Sequence, residues 1–301
     1  MFRLPGEERA ATIVERAFGG HFDLGSKMLE SLTAVLSSTN SAELKVPTSV
    51  AVAALSLMSK TIKLVRAVYL LCAVGLSEEA APLVRAMIEV YAHAEFLSNG
   101  DKEKNSRRML AIEAITRARH QERPVPEHGA HGAAVERAAQ SAKEFREEAS
   151  HWIMDKEELK ELESLARQYR QWTGRRITEM IDALADFGGI VGWRGAYAAL
   201  SSSAHAGDVS RHVKEGTEKY VADLQPAFFW GGAMVSHAND FAWAIATSVS
   251  KLAPIYSNVS LQPIEAMKNM WDELPMYALE RDGKVILYNF LVHPMTVLEI
   301  P

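Results

Sequence analysis

The chain has almost no cysteine: Cys72 stands alone among 301 residues, so no intrachain disulfide can form and no thiolate cluster can hold a metal. Its place in the apolar run Tyr69-Leu70-Leu71-Cys72-Ala73-Val74 is that of a small core residue, and a lone buried thiol fits a reducing compartment. Also missing are the Gly-x-x-x-x-Gly-Lys loop that cradles phosphates, the Gly-x-Ser-x-Gly turn of serine hydrolases and any paired Cys-x-x-Cys. No internal repeat of solenoid period is present. Neither charge sign dominates. With 33 Lys and Arg against 38 Asp and Glu, the net charge of −5 gives no global pull toward nucleic acid, which leaves only a local basic face for that purpose.

The opening residues, Met1-Phe2-Arg3-Leu4-Pro5-Gly6, lack the apolar core and cleavage site of a secretory signal, so a cytoplasmic location is expected. Two long apolar stretches invite a membrane reading. Val50 to Val74, however, is interrupted by Lys60, Lys63 and Arg66, and Ala227 to Leu252 by His237, Asn239 and Asp240. A bilayer span of roughly 20 apolar residues tolerates few such groups, so both stretches read as central helices of a bundle and no membrane is expected.

What is present is helical periodicity with clear punctuation. An opening helix from Glu7 to Phe18 is expected to stop at Gly19-Gly20, and a second to run from Phe22 to Leu36. Pro47 and Thr48 start a third that stops at Gly75. Ser77 is placed to cap a fourth, with Pro82 near its first turn and Asn99-Gly100 at its end. A fifth runs from Lys102 to His120 and is broken by Arg123-Pro124-Val125-Pro126. The densely charged stretch from Ala133 to Gln168 has little to bury and reads as peripheral helices broken near Met154-Asp155. Further helices are expected over Arg175 to Phe187, Trp193 to Ala206, Ala227 to Leu252 and Pro263 to Met270, with an irregular stretch from Gly207 to Pro226. Near the end, Asp282-Gly283 between two β-prone runs predicts a hairpin, which must pack on the bundle or on a second chain. The expected fold is therefore all-α, a multi-helix bundle with a small C-terminal β-hairpin. It divides into N-terminal helices (1–45), a bundle domain (46–270) and a hairpin tail (271–301).

Chemistry-bearing residues fall into two stripes. Arg85, Glu89 and His93 recur every fourth position on the otherwise apolar fourth helix; Tyr197, Ser201 and His205 do the same after the turn Trp172-Thr173-Gly174. Side chains four apart share one helix face, and charges on an apolar helix are costly unless paired, so the two stripes are expected to face each other. Arg85, Glu89, Tyr197, Ser201 and His205 are the catalytic candidates.

These segments resemble an uncharacterised prokaryotic helical family of unknown function, marked by Leu-x-Arg-Ser-x-x-Glu, Trp-Ser/Thr-Gly and Tyr-x3-Ser-x3-His. The likeness spans residues 50–210, and Ala86 stands where the family usually has Ser. It brings no reaction with it.

Arginine plus histidine in a helical cleft also resembles the metal-free site of HEPN-like ribonucleases, where His205 would move a proton and Arg85 would stabilise a pentacovalent phosphate. The only literal Arg-x-x-x-x-His match, Arg123 to His128, carries two prolines that preclude a helix. A di-iron site needs Glu-x-x-His pairs, whereas Glu89 and His93 are four apart; His237 and Asp240 offer one further pair. No metal and no cofactor is expected. Arg175-Arg176, Arg194, Arg211-His212 and Lys214 form the cationic cluster nearest the stripes, available to RNA or another anionic ligand. Two functional readings stand: a binding or effector module of prokaryotic stress or phage-defence type acting on RNA, or a non-enzymatic scaffold whose stripes form a structural network. The two apolar helices and the hairpin edge predict a homodimer.

Overall fold

In the computed structural model the apolar stretches become the centre of an all-α bundle. The residues described are 7–38, 45–122, 132–184, 196–198, 200–201, 213–215, 220–222, 230–253, 274–275, 277–281, 284–288 and 294–299. Three helices form the core: α2 (Thr48–Ala73), α3 (Ala81–Ser98) and α8 (Gly231–Leu252) pack against one another. Met58, Val65, Val68, Val84, Met87, Ile88, Phe241, Ile245 and Val249 are fully buried there, each larger side chain contributing about 1.5–3 kcal/mol. A polar bond crosses this core, from the Tyr69 hydroxyl of α2 to the Asn239 side-chain oxygen of α8. Gly25 makes room for it, since a Cβ at that position would lie 1.4 Å from the phenol oxygen.

The ends of α2 follow from sequence. Pro47 precedes its first turn, and its carbonyl accepts from the amides of Val50 and Ala51 at 2.9 and 3.1 Å. At the other end Gly75 takes φ +81°, so the Gly75 amide reaches the Cys72 carbonyl and the Leu76 amide the Leu71 carbonyl. By length and composition α2 is apolar enough to cross a membrane, with a mean hydropathy of 1.3 over 18 residues and half of that window buried.

Around the core lie α1 (Glu7–Ser38), α4 (Lys102–Gln121), α5 (Gly132–Trp152), α6 (Lys156–Arg167) and the short α7 (Ile177–Asp182). Asp101 caps α4 and Asp155 caps α6, the latter accepting from the amides of Glu157 and Glu158; this cap is the break expected near Met154-Asp155. The charged segment pairs with its neighbours across helices: Arg117 with Glu148, Arg146 with Glu122 and Glu163, and Arg108 with Glu158 and Glu161.

Three expectations are corrected. Gly19-Gly20 does not divide the first segment, because one apolar stripe through Val14, Phe18, His21, Leu24 and Met28 stays buried and outweighs the roughly 1 kcal/mol cost of each helical glycine. Ser77 does not cap α3; it is buried in the preceding turn, and Ala80 is the cap residue, with Pro82 in the first turn. The stretch expected to be irregular contains an antiparallel ladder, β1 (Val213–Glu215) with β2 (Tyr220–Ala222), in which Lys214 faces Val221. The hairpin pairs β3 (Tyr277–Arg281) with β4 (Lys284–Tyr288), and β5 (Pro294–Glu299) adds a third strand on the far side of β4. Ala278, Val285 and Leu287 of this sheet pack on Ile13, Val14, Ala17 and Phe18 of α1, which supplies the cover the hairpin requires. The expected loop after Arg123, the Asp282-Gly283 turn and the helix over Pro263 to Met270 lie outside the described residues.

Candidate functional site

On α3 the stripe Arg85, Glu89, His93 meets partners supplied from far along the chain. The Arg85 guanidinium donates to the Tyr197 hydroxyl at 2.8 Å, and that hydroxyl donates to Glu89 Oε1 at 2.8 Å. Arg85 closes the triangle on Glu89 at 3.2 Å, and its guanidinium carbon lies 4.8 Å from the centre of the Tyr197 ring. The phenol is 7% exposed; burial, helped by Glu89, raises its pKa, so it remains a neutral donor and acceptor. Arg85 Nε is buried without an acceptor among the described residues.

Three of the five sequence candidates thus converge. Ser201 does not join them, because its hydroxyl donates to the Tyr197 carbonyl at 2.6 Å, a bond within its own helical turn. His205 lies outside the described residues, as do Arg123, His128, Arg194, Arg211 and His212. Residues 196–198 and 200–201 are helical, as the spacing predicts.

One turn further along α3, His93 meets the Trp172-Thr173-Gly174 turn. Gly174 adopts φ +78°, its amide donating to the Gln171 carbonyl at 2.8 Å while its own carbonyl accepts from Arg170 at 2.6 Å. Arg108 of α4 holds the Trp172 carbonyl at 3.2 Å. These bonds seat a buried indole whose N–H donates to His93 Nδ1 at 3.0 Å, with the rings stacked at 29°. Trp172 therefore seals the turn and also fixes the imidazole. An indole N–H can only donate, so Nδ1 must accept and the ring proton sits on Nε2. Burial, and then the like charge of Lys60, lower the His93 pKa to about 4, which leaves the ring neutral near pH 7.

His93 and Glu89 line a cleft of about 680 Å³ between α2, α3, α4 and residues 166–172. Lys60 and Lys63 of α2 line it, exposed and without a salt bridge among the described residues. Arg117 and Arg170 line it too, but the first is bound to Glu148 and the second to the Gly174 carbonyl. The carboxylates facing these cations are Glu113 and Glu89, of which Glu89 is already engaged by Arg85 and Tyr197.

Reading the sequence alone located the stripe but not the cleft, which opens one helical turn beyond Arg85. Lys60 and Lys63 count there only as interruptions of an apolar run, although two cations three apart on a core helix are a signal of the same kind as Arg85 and Glu89. Of the cationic cluster expected elsewhere, Arg175 stacks over Phe96 at 5.4 Å and Lys214 sits in β1, while Arg194, Arg211 and His212 lie outside the described residues. Among the described residues no group of three or more His, Cys, Asp or Glu is placed to hold a metal ion.

No curated protein and no solved structure matches the chain. The family comparison does give a match, and it runs from the first turn of α2 to the first residue of β2, taking in both stripes, the Trp172 turn and the whole cleft. The chain belongs to the family of unknown function DUF5677, which matches residues 51–220.

Proposed function

We propose that the protein is a binding module that takes RNA by its phosphates in the cleft between α2, α3 and α4, within prokaryotic stress response or phage defence. The observation that carries this reading is the Trp172–His93 bond. It turns His93 into a fixed hydrogen-bond donor, with Nδ1 occupied and the proton on Nε2, beside two lysines that no carboxylate engages among the described residues. A general base would need a free lone pair, and a general acid at neutral pH would need a pKa nearer 7. Fixed donors and unpaired cations suit phosphate oxygens, which accept only. Binding therefore fits this geometry better than acid–base catalysis.

The test is fluorescence anisotropy with a labelled single-stranded RNA, titrated between about 50 and 200 mM salt. The wild-type protein should bind more weakly as salt rises. The double variant Lys60→Glu, Lys63→Glu should lose affinity and flatten the logarithmic salt slope by roughly 1.4, the share of two phosphate contacts on a single strand. No binding at the lowest salt, or a variant that binds like the wild type, overturns the reading.

A second reading, a homodimeric scaffold, is favoured by the closed Arg85–Glu89–Tyr197 triangle and by Leu70 and Val74, 62% and 37% exposed near the end of α2. Light scattering that returns a constant 33.3 kDa on dilution and concentration excludes it.

A further inference from the structure

α2 and α6 end in the same hydrogen-bonding pattern but with different residues at the critical position. After α2, the amides of Gly75 and Leu76 reach back to the carbonyls of Cys72 and Leu71. After α6, the amides of Tyr169 and Arg170 reach the carbonyls of Ala166 and Leu165 at 3.3 and 2.9 Å. Both turns need a left-handed residue, Gly75 at φ +81° and Tyr169 at φ +55°. Tyr169 is the one non-glycine residue with positive φ among those described, and a Cβ is strained in that conformation.

The backbone bonds that close α6 require this conformation, but the Tyr169 side chain does nothing to offset its strain. The Tyr169 side chain is 74% exposed, with no hydrogen bond from its hydroxyl and no ring contact among the described residues. Its backbone is nonetheless held firmly, since Arg119 bonds the Ala166 carbonyl and Arg170 the Gly174 carbonyl on either side. A strained residue that its surroundings over-determine, and that contributes no packing, is the pattern found at ligand sites. The ring lines the same cleft as Lys60, Lys63 and His93.

We propose that the cleft reads a nucleobase as well as phosphate, the base stacking on the exposed Tyr169 ring while Lys60, Lys63 and His93 hold the adjoining phosphate. This rests on the cleft being the RNA site. A flat aromatic beside cations is the combination by which proteins take unpaired bases, because every base has a π face. The ligand class is a single-stranded ribonucleotide, supplied by an RNA strand or by a free nucleotide.

The experiment pairs thermal melting with binding for the wild-type protein and Tyr169→Gly, using three probes: a single-stranded oligoadenylate, an abasic ribose-phosphate strand of the same length, and AMP. Glycine relieves the left-handed strain, so the variant should melt at a higher temperature. It should bind oligoadenylate more weakly by roughly 5- to 150-fold, the effect of losing one stacked base, and bind the abasic strand as the wild type does. Tyr169→Phe keeps the ring and should keep the affinity. AMP binding that depends on Tyr169 assigns the site to a free nucleotide; oligoadenylate binding without AMP binding assigns it to a strand. If Tyr169→Gly binds oligoadenylate as the wild type does, or loses both strands equally, base stacking is overturned and the phosphate reading survives. If the wild type binds none of the probes, both are overturned.

Discussion

Two successive turns of α3 put polar side chains to opposite uses. In the first, Arg85, Glu89 and Tyr197 satisfy one another, and each main interaction ends on a partner inside the triangle. In the second, His93 is fixed by Trp172 on one nitrogen only, and the lysines beside it have no carboxylate of their own among the described residues. The lesson is that position on a polar stripe does not decide its role. What matters is whether hydrogen-bonding capacity is used up internally. The closed turn contributes stability and joins α3 to the segment around Tyr197, whereas the open turn leaves capacity for a ligand.

The sharpest way to separate the two turns is pH. His93 and His21 are both neutral when folded, burial lowering each to about 4, and His21 donates its Nε2 proton to the Pro275 carbonyl at 3.1 Å. An unfolded histidine titrates near 6.5, so below that the unfolded state binds more protons and stability falls as pH drops toward 4. Each ring accounts for a slope of up to about 1.4 kcal/mol per pH unit in that window, of order 3 kcal/mol for each ring. Urea melts from pH 7 to 4 should show this loss, and His93→Gln should remove the His93 share of the slope, while the buried His21 and His237, whose pKa burial also lowers, keep theirs. An unchanged slope in the variant means that His93 is not held neutral.

Breaking the closed turn comes next. Arg85→Ala leaves Glu89 without its cation and the Tyr197 hydroxyl without its donor, and should cost about 2 kcal/mol at neutral pH, because the pair is partly shielded from water. RNA affinity per folded molecule should fall as well, because Glu89, released from Arg85, leaves an uncompensated carboxylate beside the lysines of the cleft. A variant of full stability would show that the triangle does not hold the fold together. The smallest effect belongs to the open turn: Lys60→Gln with Lys63→Gln should leave stability within about 0.5 kcal/mol, since both side chains are exposed and without a salt bridge among the described residues. A larger loss would make the lysines part of the structure.

Much of this arrangement was legible in the residues. Local chemistry marked α2 between Pro47 and Gly75, the break that Asp155 caps, and the β3–β4 pairing around Asp282-Gly283. The four-residue spacing of Arg85 and Glu89, set in an apolar helix, called for a distant partner, and Tyr197 is that partner. What stayed hidden depended on long-range packing. Gly19-Gly20 reads as a break until the sheet and α8 bury that face of α1. Ser201 could equally have turned toward α3, but its own helix offers a nearer carbonyl. The left-handed conformation of Tyr169 has no signature in its side chain, because the demand comes from how α6 ends.

The seating of the sheet on α1 has a consequence for the order of synthesis. Ile13, Val14 and Phe18 lie in the first part of α1 and bury themselves against Ala278, Val285 and Leu287, and His21 waits for a carbonyl 254 residues downstream. At about 5–20 residues per second, that face of α1 spends roughly 13–50 s outside the ribosome before its cover exists. Throughout that interval the nascent chain carries an uncovered apolar surface on α1, a face of the kind that chaperones take up.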